Sequence, residues 1–274
     1  MTRLAVALLA LLGVACSDAP DVPPGDGGTE EMGVVTPDSS SPMPDAGDRL
    51  LPHEGVIVAN LQLGVVYVGD VDAGGAPIDD PDLDWLLGSF YWRYLTEYGV
   101  GNGAVAGSAR VSQDTFFQAG DVDGATGLVD ILVLQERIAE ALHGDADAGS
   151  GTGTVSIPGA QGYLVFLPDG VNVALGHRGT YTYQTCVDAD GYHAYDGVEP
   201  YAVLPPCAAG RTLYAASHEL AELATDPQPY DGWASDTDVP INGGEVADLC
   251  AEQVMQEGMW VTRLWSNESG GCVP

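Results

Sequence analysis

The chain has 274 residues, of which 40 are acidic and 8 basic, a formal charge of −32, and every basic residue is an arginine. A surface this negative repels nucleic acid and anionic lipid, so both are excluded as partners, and it suits a setting rich in cations. With 45% hydrophobic residues and 12 tyrosines, the chain still has enough apolar material for a sizeable core, which excludes wholesale disorder.

Residues 1–16 read as an export signal. Arg3 supplies the positive start, Leu4 to Val14 the apolar stretch, and Ala15-Cys16 a small residue followed by cysteine. Ala15-Cys16 resembles the lipobox of bacterial lipoproteins, although Gly13 stands where leucine is usual. The resemblance implies lipidation at Cys16 and anchorage to the bacterial outer membrane or cell surface; an ordinary signal would give a secreted protein. Any membrane contact is then expected through the lipid alone. Residues 17–50 are rich in Pro, Gly, Ser and Asp and hold almost nothing to bury, so they read as a disordered tether. Residues 51–274 read as one domain.

In that domain Val56 to Asp70 is β-branched and apolar, predicting a strand or a bent pair of strands. Leu83, Leu87, Tyr91, Tyr94, Leu95 and Tyr98 recur at helical spacing, predicting an amphipathic helix stopped near Gly99. Ala104 to Ser112 reads as a strand and Thr126 to Gly144 as a second helix. The runs GYLVFLPDG and VNVAL read as strands on either side of a Pro-Asp-Gly turn, and Tyr201 to Pro205 as another short strand. A third helix is expected from about Arg211 to Ala224, halted by Pro227. Beyond it the chain is loop-rich, with Trp233, Trp260 and Trp265 expected to pack a disulfide-tied C-terminal part. The fold class is therefore α/β or α+β, a mixed sheet with about three main helices.

Setting Cys16 aside leaves Cys186, Cys207, Cys250 and Cys272, which allow three pairings. The expected one is sequential, Cys186 with Cys207 and Cys250 with Cys272, because it closes two short loops. A four-cysteine metal site competes poorly, since no two of them form a C-x-x-C pair.

The third helix carries the chemistry. In ASHELAELATDP, His218 and Glu222 lie four apart and share one face, while Glu219 sits about 100° round the helix. H-E-x-x-H enzymes use this layout: two ligands from one turn, with the glutamate between them as general base on activated water. Zinc accepts carboxylate oxygen, so Glu222 is a legitimate ligand in place of the second histidine. A third ligand must come from elsewhere. Glu245 in GGEVADLC is the first candidate, with Asp248 hydrogen-bonded to His218; His193 and Asp226 stand in reserve. The competing reading is an ordinary helix face, because glutamates four residues from a polar neighbour are common on helices. Asp121 to Asp130 begins like a calcium loop but lacks the closing glutamate, and it reads as a turn.

The run HELAELATDP, followed by Gly232-Trp233, EVADLC, Leu264 to Asn267 and Cys272, resembles secreted bacterial proteins with a zincin-like H-E-L-A-E-x-x-T-D-P element. It is similar, more distantly, to the exordium or phosphate-induced family. The first resemblance implies a zincin-like fold and a zinc peptidase acting on a peptide or protein substrate. His218, Glu222 and Glu245 would be its ligands, Glu219 its base and Asp248 the partner of His218. The second implies a non-catalytic cell-surface domain with a structural metal site or none. An oxygen-rich ligand set also leaves calcium or manganese open.

Overall fold

The computed structural model describes residues 49–69, 80–144, 155–178, 181–207, 211–229, 231–235, 244–250 and 252–274. The export signal with Cys16, the tether up to residue 48, and the loops 70–79 and 145–154 lie outside the described residues.

Five apolar runs build the central sheet: β1 (Gln62–Val68), β2 (Ala104–Val111), β3 (Gly162–Phe166), β4 (Tyr192–Tyr195) and β5 (Pro200–Leu204). Their order across the sheet is β2-β1-β3-β5-β4. All pairings are parallel except β4 with β5, which is antiparallel. Parallel strands need cover on both faces, and the sequence supplies it by burying both sets of alternate side chains. Leu63, Val65 and Tyr67 of β1 face one core, and Val66 and Val68 face the other. β3 divides the same way, with Leu164 and Phe166 on the first side and Tyr163, Val165 and Leu167 on the second.

Three helices supply the cover. The first core is closed by α1 (Asp80–Gly88), a 3-10 turn at Trp92–Tyr98, and α3 (Thr212–Thr225). The second is closed by α2 (Ile131–His143), through Ile131, Leu134, Ile138, Ala141 and Leu142. This is the mixed sheet with three main helices read from the sequence pattern. Three boundaries differ from expectation, the first being the start of β1 at Gln62 rather than Val56. The aromatic helix breaks after Gly88, where the Ser89 hydroxyl donates to Leu86 O at 2.8 Å and accepts from Trp92 N at 3.3 Å. A serine that competes for backbone groups in this way ends one helical segment and starts the next. The second helix starts at Ile131 rather than Thr126, because the Asp130 carboxylate caps it by accepting from Leu132 N at 2.9 Å.

The calcium-like stretch is a turn, as read. Asp121 is taken up by Arg137 at 2.7 Å, and Asp123 accepts from the backbone of Ala125 and Thr126. The C-terminal part consists of short antiparallel pairs: 253–256 with 259–262, and 264–266 with 271–273. Trp265 is buried there and Trp233 half-buried, but Trp260 is exposed on its hairpin, contrary to expectation. Both disulfides have the sequential pairing, Cys186–Cys207 and Cys250–Cys272. Such bonds persist in an oxidising compartment, which agrees with export. Among the described residues no helix is long and apolar enough to cross a membrane.

Candidate metal centre

Helix α3 is buried on every side from Tyr214 to Thr225. Its alanines and leucines at 215, 216, 220, 221, 223 and 224 join the first core, and the short alanines allow close approach. Ser217 fixes its position against the C-terminal hairpin, since its hydroxyl accepts from Thr262 N at 2.8 Å and donates to Tyr214 O at 2.7 Å. A helix so enclosed has no solvent-facing stripe, so its charged residues must be buried too. His218, Glu219 and Glu222 are those residues.

Strand β4 brings a partner that no local spacing announces. His193 stands opposite Ala202 of β5, and directly opposed residues share a face of the sheet. Tyr192 and Ala194 point into the second core, so His193 points the other way, toward α3. Arg211, at the start of α3, draws the two elements together through a 2.6 Å ion pair with Asp190. Gly191 is needed beside it. A Cβ there would sit 3.1 Å from Glu219 Cγ and 2.9 Å from Val203 O.

The third contributor is the turn at 244–250, held by Trp265 N donating to Val246 O at 2.8 Å and Ser235 N donating to Gly244 O at 2.8 Å. Val246 and Ala247 anchor it in the first core, and Glu245 and Asp248 face the cluster.

The resulting cluster is almost sealed. Fractional exposure is 2% for His193 and Glu222, 4% for His218, 3% for Glu219 and 0% for Glu245. His218 Nε2 lies 3.1 Å from Glu222 Oε1 and 3.3 Å from Asp248 Oδ1. His193 Nδ1 lies 3.4 Å from Glu222 Oε2 and 3.6 Å from Glu219 Oε2, while its Nε2 lies 3.3 Å from Glu245 Oε1. None of these is a well-formed hydrogen bond. His193 Nδ1 and Nε2, His218 Nε2, Glu222 Oε1, both oxygens of Glu245 and Asp248 Oδ2 all lack a hydrogen-bond partner. Burying one such atom costs about 1–3 kcal/mol, and more when it is charged. Seven such atoms in one place are a set that a ligated cation could satisfy together.

The spacings fit a cation. Donor atoms arranged tetrahedrally at about 2.0–2.1 Å from an ion stand about 3.3–3.4 Å from each other, longer than a good hydrogen bond. The donor set of imidazole and carboxylate suits zinc, with manganese and calcium favoured by its oxygen content.

Burial sets the ionisable groups of the cluster against one another. Burial opposes a charged imidazolium at His218, yet Glu222, Asp248 and Glu219 outweigh it and hold its pKa well above the ordinary value. The same contest, with Glu245 the leading carboxylate, raises His193. Burial also pushes Glu245 well up and raises Glu219, and burial with Glu222 pushes Asp248 up to about 7. Glu222 alone is drawn down, to about 2, because the two histidines overcome its burial. Without a cation the carboxylates compete for protons.

The structure thus brings His218, Glu219, Glu222, Glu245, Asp248 and His193 together. Glu245 meets the cluster at His193 rather than at His218, and Asp248 faces the same nitrogen of His218 that Glu222 does. Asp226 plays another part: its Oδ1 accepts from Gly232 N at 2.7 Å and Asp231 N at 3.1 Å, fixing the turn after α3. Gly191 and Arg211 escaped sequence reasoning because their roles depend on packing between β4 and α3. Compared with protein-family models, with curated proteins and with solved structures, the chain matches none.

Proposed function

We propose that this chain is an exported metal-dependent hydrolase, most simply a zinc peptidase, whose centre is the cluster between α3, β4 and the 245–248 turn. One observation carries the reading: two histidines and three carboxylates with unsatisfied donor or acceptor atoms converge at ion-ligand spacing in a sealed site. The resemblance of HELAELATDP to zincin-like secreted proteins supports the same choice.

His218, Glu222 and Asp248 would hold the ion, with His193 and Glu245 completing its surroundings. A divalent cation there supplies Lewis acidity, polarising a carbonyl and lowering the pKa of water. Glu219, one residue from His218 on α3 and raised in pKa by burial, would take the proton of the attacking water. Glu222 fixes the geometry from the next turn. The substrate class is an amide or ester carbonyl of a peptide or protein. Lipidation at Cys16 would keep the enzyme at the cell surface.

A second reading is favoured by the burial itself. At 0–4% exposure the five side chains leave little room for substrate, as expected of a non-catalytic surface domain whose ion staples the fold. The full chain separates the two: measure bound metal, and hydrolysis of a mixed peptide library, for wild type and Glu219→Gln. The hydrolase reading expects an ion at His218, Glu222 and Asp248 in both, and cleavage reduced about 100-fold or more in the variant. Full activity in Glu219→Gln would remove Glu219 as base, and metal without cleavage in the wild type would favour the stapling ion.

A further inference from the structure

The cluster is not arranged around one point. Its donor atoms resolve into two triplets, His193 with Glu219 and Glu222, and His218 with Glu222 and Asp248, within each of which they lie no more than 4.8 Å apart. Glu222 belongs to both, and it uses a different oxygen for each. Its Oε1 faces His218 at 3.1 Å and its Oε2 faces His193 at 3.4 Å.

From this we infer that the centre holds two divalent cations, bridged by the carboxylate of Glu222. The inference rests on the metal-binding reading above and extends it to a second position. A single ion leaves too much unsatisfied. Placed with His218, it leaves His193 Nδ1 without a ligand to meet and His193 Nε2 facing Glu245 Oε1 at 3.3 Å, longer than a good hydrogen bond. Placed with His193, it leaves His218 Nε2 and Asp248 Oδ2 buried and unpartnered. Two ions leave each imidazole one cation to ligate.

The second position also explains Glu245. An imidazole that gives one nitrogen to a metal usually donates its other N–H to a carboxylate, which fixes the tautomer and ring orientation. With Nδ1 of His193 turned to Glu219 and Glu222, Nε2 is the nitrogen that faces Glu245 Oε1, at 3.3 Å. Glu245 is thus a positioning residue for His193.

The test is metal stoichiometry on the full chain, unfolded and refolded with its disulfides intact in excess Mn2+ or Zn2+, desalted, and measured by mass spectrometry against protein concentration. Wild type is expected to hold two equivalents, and His193→Ala one. Low-temperature electron paramagnetic resonance of the Mn2+ form should show an exchange-coupled pair. One equivalent with the hyperfine pattern of isolated Mn2+ would overturn the second position and leave the metal-binding reading intact. No bound metal in folded wild type would overturn both. Two uncoupled ions, or two equivalents retained by folded His193→Ala, would place an ion elsewhere and also overturn the bridge. The wild-type spectrum decides the matter even if the variant fails to fold, which circular dichroism would reveal.

Discussion

Replacing Cys250 and Cys272 together by alanine tests how far the C-terminal part depends on its covalent closure. The bond joins residues 22 apart in sequence, and closing a loop of that length lowers the entropy of the unfolded chain by about 11 cal/mol/K. At 25 °C this amounts to about 3.4 kcal/mol. For a folded part of this size the melting temperature should fall by about 7–14 °C. Alanine is chosen because Cys250 is buried in the first core, where a serine hydroxyl would add its own desolvation cost. Differential scanning calorimetry under non-reducing conditions, with Cys186–Cys207 intact, measures the shift. A fall below about 3 °C would refute the loop-entropy reasoning and imply that the unfolded chain is already constrained across this segment. The pair also adjoins the site, since Cys250 closes the 3-10 turn that begins at Asp248.

Two further perturbations test separate parts of the argument. Asp121→Asn removes the main partner of Arg137, which retains Glu140 at 2.5 Å, and should destabilise the protein by about 1 kcal/mol in denaturant titration at pH 7. The Arg137 hydrogen bond holds the Asp121 pKa below its ordinary value. Its contribution is therefore present above the unfolded value of about 3.9 and is lost as pH falls through the lower folded one. The acid limb of the stability curve should be shallower in the variant, and an unchanged limb would contradict the assignment. Gly191→Ala presses a methyl group against Val203 O, Leu204 and the stem of Glu219, and should cost about 1–3 kcal/mol. Neutral behaviour in the same titration would show that β4 and α3 can separate without penalty.

Much of the fold was legible because its signals are local. The β-branched runs of β1, β3 and β5, the spacing on α3 and the sequential cysteines each depend on neighbours within a few residues. The break at Gly88-Ser89 was not legible, because the apolar spacing continues across it while the Ser89 hydroxyl redirects the backbone. The helix start at Asp130 was hidden in the same way by the apolar residues before it. At the site, His218, Glu219 and Glu222 could be read from one helical turn. The place of His193 could not, since it follows from the antiparallel register of β4 against β5, a pairing that leaves no periodic trace. The actual partner of Glu245 was concealed for the same reason.

The sealing of the cluster has a consequence in time. An ion with its ligands at 0–4% exposure cannot leave by simple dissociation into solvent, because no ligand can swing outward while α3, β4 and the 245–248 turn stay packed. Release must wait for a local opening of that packing, and such openings are governed by the stability of the surrounding elements. Disulfides on both flanks, at Cys186–Cys207 beside β4 and Cys250–Cys272 beside the turn, make those openings rarer. An ion held there would exchange on the timescale of such partial unfolding, so metal offered while the chain folds would be taken up far faster than metal added to the folded protein.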